Sequence, residues 1–204
     1  ALFLSTVVSA EEPVPAWLIR LPETTPVVFV AETSTSAFHR FDRSGEDVIK
    51  VRQDYMSIGQ GGVGKQRAGD QRTPLGIYFI TEQLDTTKLH ERYGPTAFTL
   101  DYPNIWDRIN RRGGDGIWIH GVAENGGKRP PLDTDGCIAL PNDEILALEE
   151  FLQPTVTPVI VARDVRWAGA AEIAALRDEI RLAVDTWAES IRNRDLHRYL
   201  SLYA

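Results

Sequence analysis

The chain has one cysteine and one methionine in 204 residues. A single cysteine leaves no internal disulfide to form. Basic residues are also short: 22 Lys and Arg stand against 29 Asp and Glu, a net charge of −7. That balance excludes general nucleic-acid binding, which needs a basic surface. There is no low-complexity tract and no clear internal repeat, and beyond the first ten residues no apolar run is long enough to span a bilayer. His39, His90 and His197 lack metal-ligand spacing and read as surface or structural histidines. The stretch Gly59 to Gly64 is glycine-rich but lacks the Lys-Ser/Thr ending of a phosphate loop, which excludes nucleotide binding of that kind.

What is present divides along the chain. Residues 1–10, Ala-Leu-Phe-Leu-Ser-Thr-Val-Val-Ser-Ala, read as the remnant of a secretory signal peptide, with an apolar stretch and a Val-Ser-Ala cleavage site but no basic n-region. Residues 11–26, with Pro13, Pro15, Pro22 and Pro26, read as an extended lead-in. From Val27 to about Val161 the signals are mainly β. Val27-Val28-Phe29-Val30, Gly76 to Ile80 and Gly116 to Ile119 have strand composition, and Arg43 to Glu46 reads as a turn. Residues 81–115 read as a long polar, partly helical insertion that would act as a lid. Asn142 is expected to cap a helix with Ile145, Leu148, Phe151 and Leu152 on its apolar face. After Arg163 the period changes to three and four residues, through Ile173, Leu176, Ile180, Val184, Trp187 and Ile191, which predicts an amphipathic helix. The expected division is therefore a catalytic domain over 27–163 and the helical start of a second, truncated domain over 164–204.

The chemistry centres on Cys137. A thiol needs a base or a positive environment to act as a nucleophile near neutral pH. His120 ends one apolar run, and Cys137 opens the next, within Thr134-Asp135-Gly136-Cys137-Ile138. Backbone N–H groups beside Gly136 can form an oxyanion hole. An unpaired cysteine in an exported chain points to a free reactive thiol. Trp118 lies on the same side of its strand as His120 by the two-residue period, so it lines the cleft or packs in the core. Asp135 either closes a turn or meets a substrate amine.

These residues resemble the L,D-transpeptidase (YkuD-like) catalytic domain family of bacterial cell-wall enzymes. The family pattern of His, a loop, then Ser/Thr-x-Gly-Cys and an apolar residue stands here as His120-Gly121 and Thr134 to Ile138. The upstream pattern stands as Gly69-Asp70, then Thr73-Pro74-Leu75-Gly76-Ile77-Tyr78. Many members carry Arg two residues after the cysteine; Ala139 stands there, and Arg72 or Arg129 are the candidates to replace its charge. The tail from Val184 to Tyr203 resembles, over a short stretch, the opening helices of a nuclear-transport-factor-two-like domain.

The resemblance implies a mainly β (α+β) fold, a β-sandwich with a lid-like insertion followed by C-terminal helices. It implies Cys137 as nucleophile, His120 as base, giving a thiolate–imidazolium pair, and the Gly121 carbonyl as the group that orients the imidazole. Thr134, Asp135, Gly136, Trp118 and Arg72 are the expected substrate-binding residues. The expected partner is a peptidoglycan stem peptide, cut between meso-diaminopimelate and D-Ala through a thioester, in the bacterial envelope or periplasm, with no metal or organic cofactor. Transfer to an amine gives transpeptidation; transfer to water gives carboxypeptidation. An amidase that releases a wall-attached protein and a non-catalytic wall-binding module are the alternatives. Acyl acceptor and oligomeric state are not legible in the sequence.

Overall fold

The computed structural model describes residues 12–123 and 125–203; the leader 1–10 lies outside them. A short strand β1 (Val14–Pro15) precedes β2 (Val27–Glu32), whose six residues are all buried. Alternate side chains of a strand face opposite ways, and β2 feeds two cores. Val27, Phe29 and Ala31 enter the main core, while Val28 and Val30 enter a second one. Burying each of the valines and Phe29 contributes about 1.5–3 kcal/mol. β3 (Ala37–Ser44) and β4 (Asp47–Tyr55) follow as an antiparallel hairpin around the turn the sequence predicts.

Next come β5 (Ile58–Gly59), β6 (Gly76–Leu84), β7 (Ala97–Leu100), the short helix α1 (Ile105–Ile109), β8 (Trp118–His120), β9 (Leu132–Thr134) and β10 (Ile138–Ala139). After helix α2 (Asn142–Leu148), strand β11 (Pro158–Ala162) returns to the middle of the sheet. Eight strands then stand in the order β10-β8-β7-β6-β11-β2-β3-β4. The chain leaving β4 reaches across to the opposite edge, where Ser57 and Ala139 exchange two backbone hydrogen bonds of 2.8 and 2.9 Å. The sheet is therefore curled almost onto itself, around a core that includes Phe29, Phe38, Tyr78, Phe98, Ile119 and Ile138.

The second core lies on the outer face of β2 and β3. The lead-in supplies Val14, Ala16, Leu18 and Leu21 to it, while β12 (Trp167–Ala168) pairs with β1. Helix α3 (Ala170–Arg192) joins this core through Ile173, and Arg177 pairs with Asp47 at 3.0 Å. Further along α3, Ile180, Leu182, Val184 and Ile191 are exposed, as are Leu196 and Leu200 of α4 (Leu196–Ser201). No helix among the described residues is long and apolar enough to cross a membrane. His39 is a buried structural residue rather than a surface one, edge-on to Trp167 at 5.1 Å between ring centroids.

Two expectations change. The segment 81–115 is not one insertion: β6 runs on to Leu84, and Ala97, Phe98 and Leu100 are buried in a strand inside the sheet. What remains at the rim are the two pieces 85–96 and 101–117. Asn142 does not cap α2. Pro141 takes the cap position, and no side chain bonds there. The Asn142 side chain turns instead to the loop after β8, where its Oδ1 accepts the Val122 N–H at 2.8 Å.

Candidate active site

The site is built on the short ladder between β8 and β10. These strands are parallel, with Ile119 beside Ile138 and His120 beside Ala139. Ile119 and Ile138 point into the core and are fully buried. By alternation, Trp118, His120, Cys137 and Ala139 share the other face. His120, Cys137 and Ala139 open onto a cavity of about 370 Å³. Thr134, Asp135, Arg129 and Asp133 line one side of it, and Arg92 and Tyr93 another.

Two contacts orient His120. Its Nδ1–H donates to the Gly121 carbonyl at 2.5 Å, as the family resemblance implies, which leaves Nε2 as the acceptor. Tyr93 packs edge-on against the imidazole at 5.1 Å. Gly121 is required for packing as well as permitted. A Cβ there would lie 2.5 Å from Asn142 Oδ1 and 2.7 Å from Pro95 Cδ.

A network fixes the turn that carries Cys137. Thr134 Oγ1 donates to the Cys137 carbonyl at 2.7 Å and accepts the Gly136 N–H at 3.1 Å. Gly136 has φ +129°, and a Cβ there would sit 2.8 Å from the Arg72 carbonyl oxygen. The Gly136 carbonyl accepts from Thr73 Oγ1 at 2.9 Å, and the same hydroxyl accepts the Gly59 N–H at 2.9 Å. This accounts for the upstream Asp-x-x-Thr pattern. Asp70 accepts N–H bonds from Gln66, Arg67 and Arg72 and an ion pair from buried Lys65 at 2.8 Å, shaping the loop that presents Thr73. Burial opposes the Asp70 charge, but these bonds outweigh it and hold the carboxyl well below the usual carboxylate range. The glycine-rich stretch also has a role here, since Gly62 and Gly64 pair with Thr73 through their backbones.

The electrostatics favour neutral forms at rest. Burial pushes the His120 imidazole down to about 4, against the bond to Gly121 and with the help of Arg92. Burial pushes the Cys137 thiol up to about 11, opposed by a backbone bond to Trp118. Burial therefore favours the neutral imidazole and the neutral thiol, whose Sγ–H donates to the Gly116 carbonyl at 3.4 Å.

Other expected binding residues fall differently. Thr134, Asp135 and Gly136 form the nucleophile's turn. Trp118 does not reach the cavity; Tyr93 covers it, with ring centroids 4.8 Å apart. Arg72 folds onto its own loop, toward the Val63 carbonyl at 3.4 Å, and does not line the cavity either. Arg129 lines it but is closed onto Asp133 at 2.8 Å. The sequence reading missed Arg92 and Tyr93, gave Thr73 only as part of a family pattern and placed Asn142 as a helix cap. Arg92 and Tyr93 lay in the segment read as a lid, which was the available signal.

The match to known families is direct. Residues 27–161 match the YkuD family, the L,D-transpeptidase catalytic domain, and the chain belongs to that family. It is a peptidoglycan-directed enzyme family. Among solved structures, Bd1075 of Bdellovibrio bacteriovorus is 28% identical with a TM-score of 0.77, the alignment covering 93% of this chain and 68% of that one. Pgp2 of Campylobacter jejuni, a helical cell shape determining protein, is 22% identical with a TM-score of 0.64; the alignment covers 94% of this chain and 63% of that one, which supports the fold alone. This chain therefore spans less than two thirds of Pgp2. No curated protein matches the chain.

Proposed function

We propose that the chain is a cysteine-dependent acyltransferase acting on tetrapeptide stems of peptidoglycan, at the bond between meso-diaminopimelate and D-Ala. The observation that carries this reading is the shared face of Cys137 and His120 on the β8–β10 ladder, with Nδ1 of His120 committed to Gly121 and Nε2 left as the base. As the Cys137 sulfur attacks the carbonyl, its proton passes to Nε2. Because both groups start neutral, the charges form only during attack, beside the Cys137 N–H. The Gly136 N–H is already occupied by Thr134, so the oxyanion relies on fewer backbone donors than the sequence reading supposed. The C–N bond then breaks, and His120 returns the proton to the departing D-Ala amine. The remaining thioester passes to an amine or to water.

Transpeptidation stands first as the family's activity. Hydrolysis to tripeptide stems is favoured as the second outcome by the open mouth, where Arg92 and Asp135 are 59% and 69% exposed. A time course with disaccharide tetrapeptide, with and without a second stem, separates them by mass analysis. Cross-linked dimer without tripeptide rejects hydrolysis; tripeptide alone rejects transpeptidation. Neither product from intact enzyme rejects the reading.

A peptidoglycan substrate supports a location in the bacterial envelope. The catalytic domain is taken as 27–163 and the helical tail as the start of a second unit. The apolar residues that α3 and α4 leave exposed support that division.

A further inference from the structure

Two acid–base pairs stand at the mouth of the cavity, and they differ. Arg129 and Asp133 are closed at 2.8 Å. Arg92 and Asp135 are 3.9 Å apart, beyond hydrogen-bond reach, and both side chains are more than half exposed. An exposed pair of this kind adds little to stability. Its two members are nonetheless held in place from behind. The Arg92 guanidinium lies over the Tyr93 ring at 4.8 Å and donates to the Tyr93 hydroxyl at 2.7 Å. The Arg92 N–H donates to His90 Nδ1 at 3.2 Å. Tyr93 in turn packs on both Trp118 and His120. Across the gap, Gln71 Nε2 donates to Asp135 Oδ1 at 3.3 Å, while Oδ2 faces Arg92.

The gap thus presents a fixed cation and a fixed anion side by side, the anion two residues before Cys137 in the chain. A ligand bearing a carboxylate and an ammonium on one carbon complements it, carboxylate to Arg92 and ammonium to Asp135. We infer that Arg92 and Asp135 form a clamp for a free amino-acid zwitterion on the substrate. This rests on the acyl-transfer reading above. On a stem peptide, the group that fits is the unlinked centre of the diamino acid, four carbon–carbon bonds from the α-carbon of the attacked carboxyl. Through this clamp, Arg92 becomes a specificity-determining residue supplied by the 85–96 rim, and Asp135 has a role beyond its turn.

The test uses three N-acylated tetrapeptides, one with meso-diaminopimelate, one with its side-chain carboxamide and one with L-Lys. kcat/KM is measured for the wild-type chain, Arg92→Gln and Asp135→Asn, and Kd is measured by calorimetry in the Cys137→Ala background. The wild type is expected to prefer the zwitterionic stem by about 10- to 100-fold, mostly in KM. Arg92→Gln is expected to lose that preference, its loss on the zwitterionic stem exceeding its loss on the carboxamide by the wild-type ratio. Asp135→Asn is expected to weaken the carboxamide and L-Lys stems, which keep the ammonium, as well as the zwitterion. An equal loss on all three stems in Arg92→Gln, or an undiminished preference, overturns the clamp. If the wild-type chain turns over none of them, the acyl-transfer reading fails, and the calorimetric comparison still decides the clamp. Carboxylate-dependent binding lost in Arg92→Gln sustains it; binding of the three stems alike refutes it.

Discussion

Thr73, buried on one side of the site, gives its hydroxyl proton to the carbonyl of Gly136, the residue before Cys137, 63 positions later in the chain. The same oxygen receives the Gly59 N–H, so one side chain ties three segments together. Thr73→Val keeps the shape and removes both bonds inside the protein. The expected cost is about 1–3 kcal/mol of stability, from buried groups left unpaired, plus a loss of turnover from the displaced turn. Thr73→Ser should restore most of both. Urea denaturation and turnover of the three variants check this; a Val variant indistinguishable from wild type would show that the turn holds itself.

Gly121→Ala forces a Cβ into the space of Asn142 Oδ1 and Pro95. Either the backbone shifts and takes the His120-orienting carbonyl with it, or the neighbours give way. The expected result is a fall in kcat of roughly a hundredfold, the scale of an ångström-sized misplacement of a catalytic group. Steady-state kinetics at matched folded fraction, judged by circular dichroism, provide the measurement.

Cys137→Ala is expected to abolish turnover without unfolding the chain. In the unmodified chain, alkylation by iodoacetamide reports the resting ionisation, because the thiolate is the reacting species. A thiol raised to about 11 stays protonated through neutral pH. The alkylation rate at pH 7 should be roughly a few hundredfold below that of an ordinary thiol, and should still be rising at pH 10. A plateau reached by pH 8 would reverse the assignment of neutral resting forms.

Asp70 is expected to act through linkage. Its folded-state carboxyl lies below its unfolded value, so its contribution is fully present above the usual carboxylate range. That contribution is lost as pH falls through the depressed folded value. Asp70→Asn should therefore be less stable than wild type at pH 7, by about 1–3 kcal/mol. The difference should shrink as pH drops below about 4, where the unfolded carboxyl takes its proton. Denaturation midpoints of both proteins between pH 3 and 7 test the sign; a constant difference would mean that shape rather than charge matters at this position.

Much of the site was legible because its chemistry demands particular residues at particular spacings. His120 and Cys137 were singled out by residue type, and Gly121 and the Thr134 to Cys137 turn by the family resemblance; the structure sets them on one ladder and one turn. The strand β7 was not legible. Its four residues sit within polar neighbours, so no alternation extends far enough to reveal it, and its burial comes from strands distant in sequence. Asn142 was misread for a related reason. Asparagine before an apolar helical run is the composition of a cap, but a tertiary partner, the Val122 N–H, took its carbonyl instead. Trp118 and Arg72 were assigned to the cleft from strand direction and charge. Direction cannot show that another ring lies in front, and charge cannot show where a long side chain folds.

The bridge between Ser57 and Ala139 also bears on how the protein behaves in a crowd of its own copies. A bare strand edge is a template for pairing with another chain. Here the edge strand that follows the nucleophile is covered by the chain returning from the far side of the sheet. The strand that follows the nucleophile is therefore also the one whose edge is closed against self-association. A substitution that loosens the turn at Cys137 should be expected to lower solubility along with activity, so aggregation during expression is a readout of damage to this site as well as to the core.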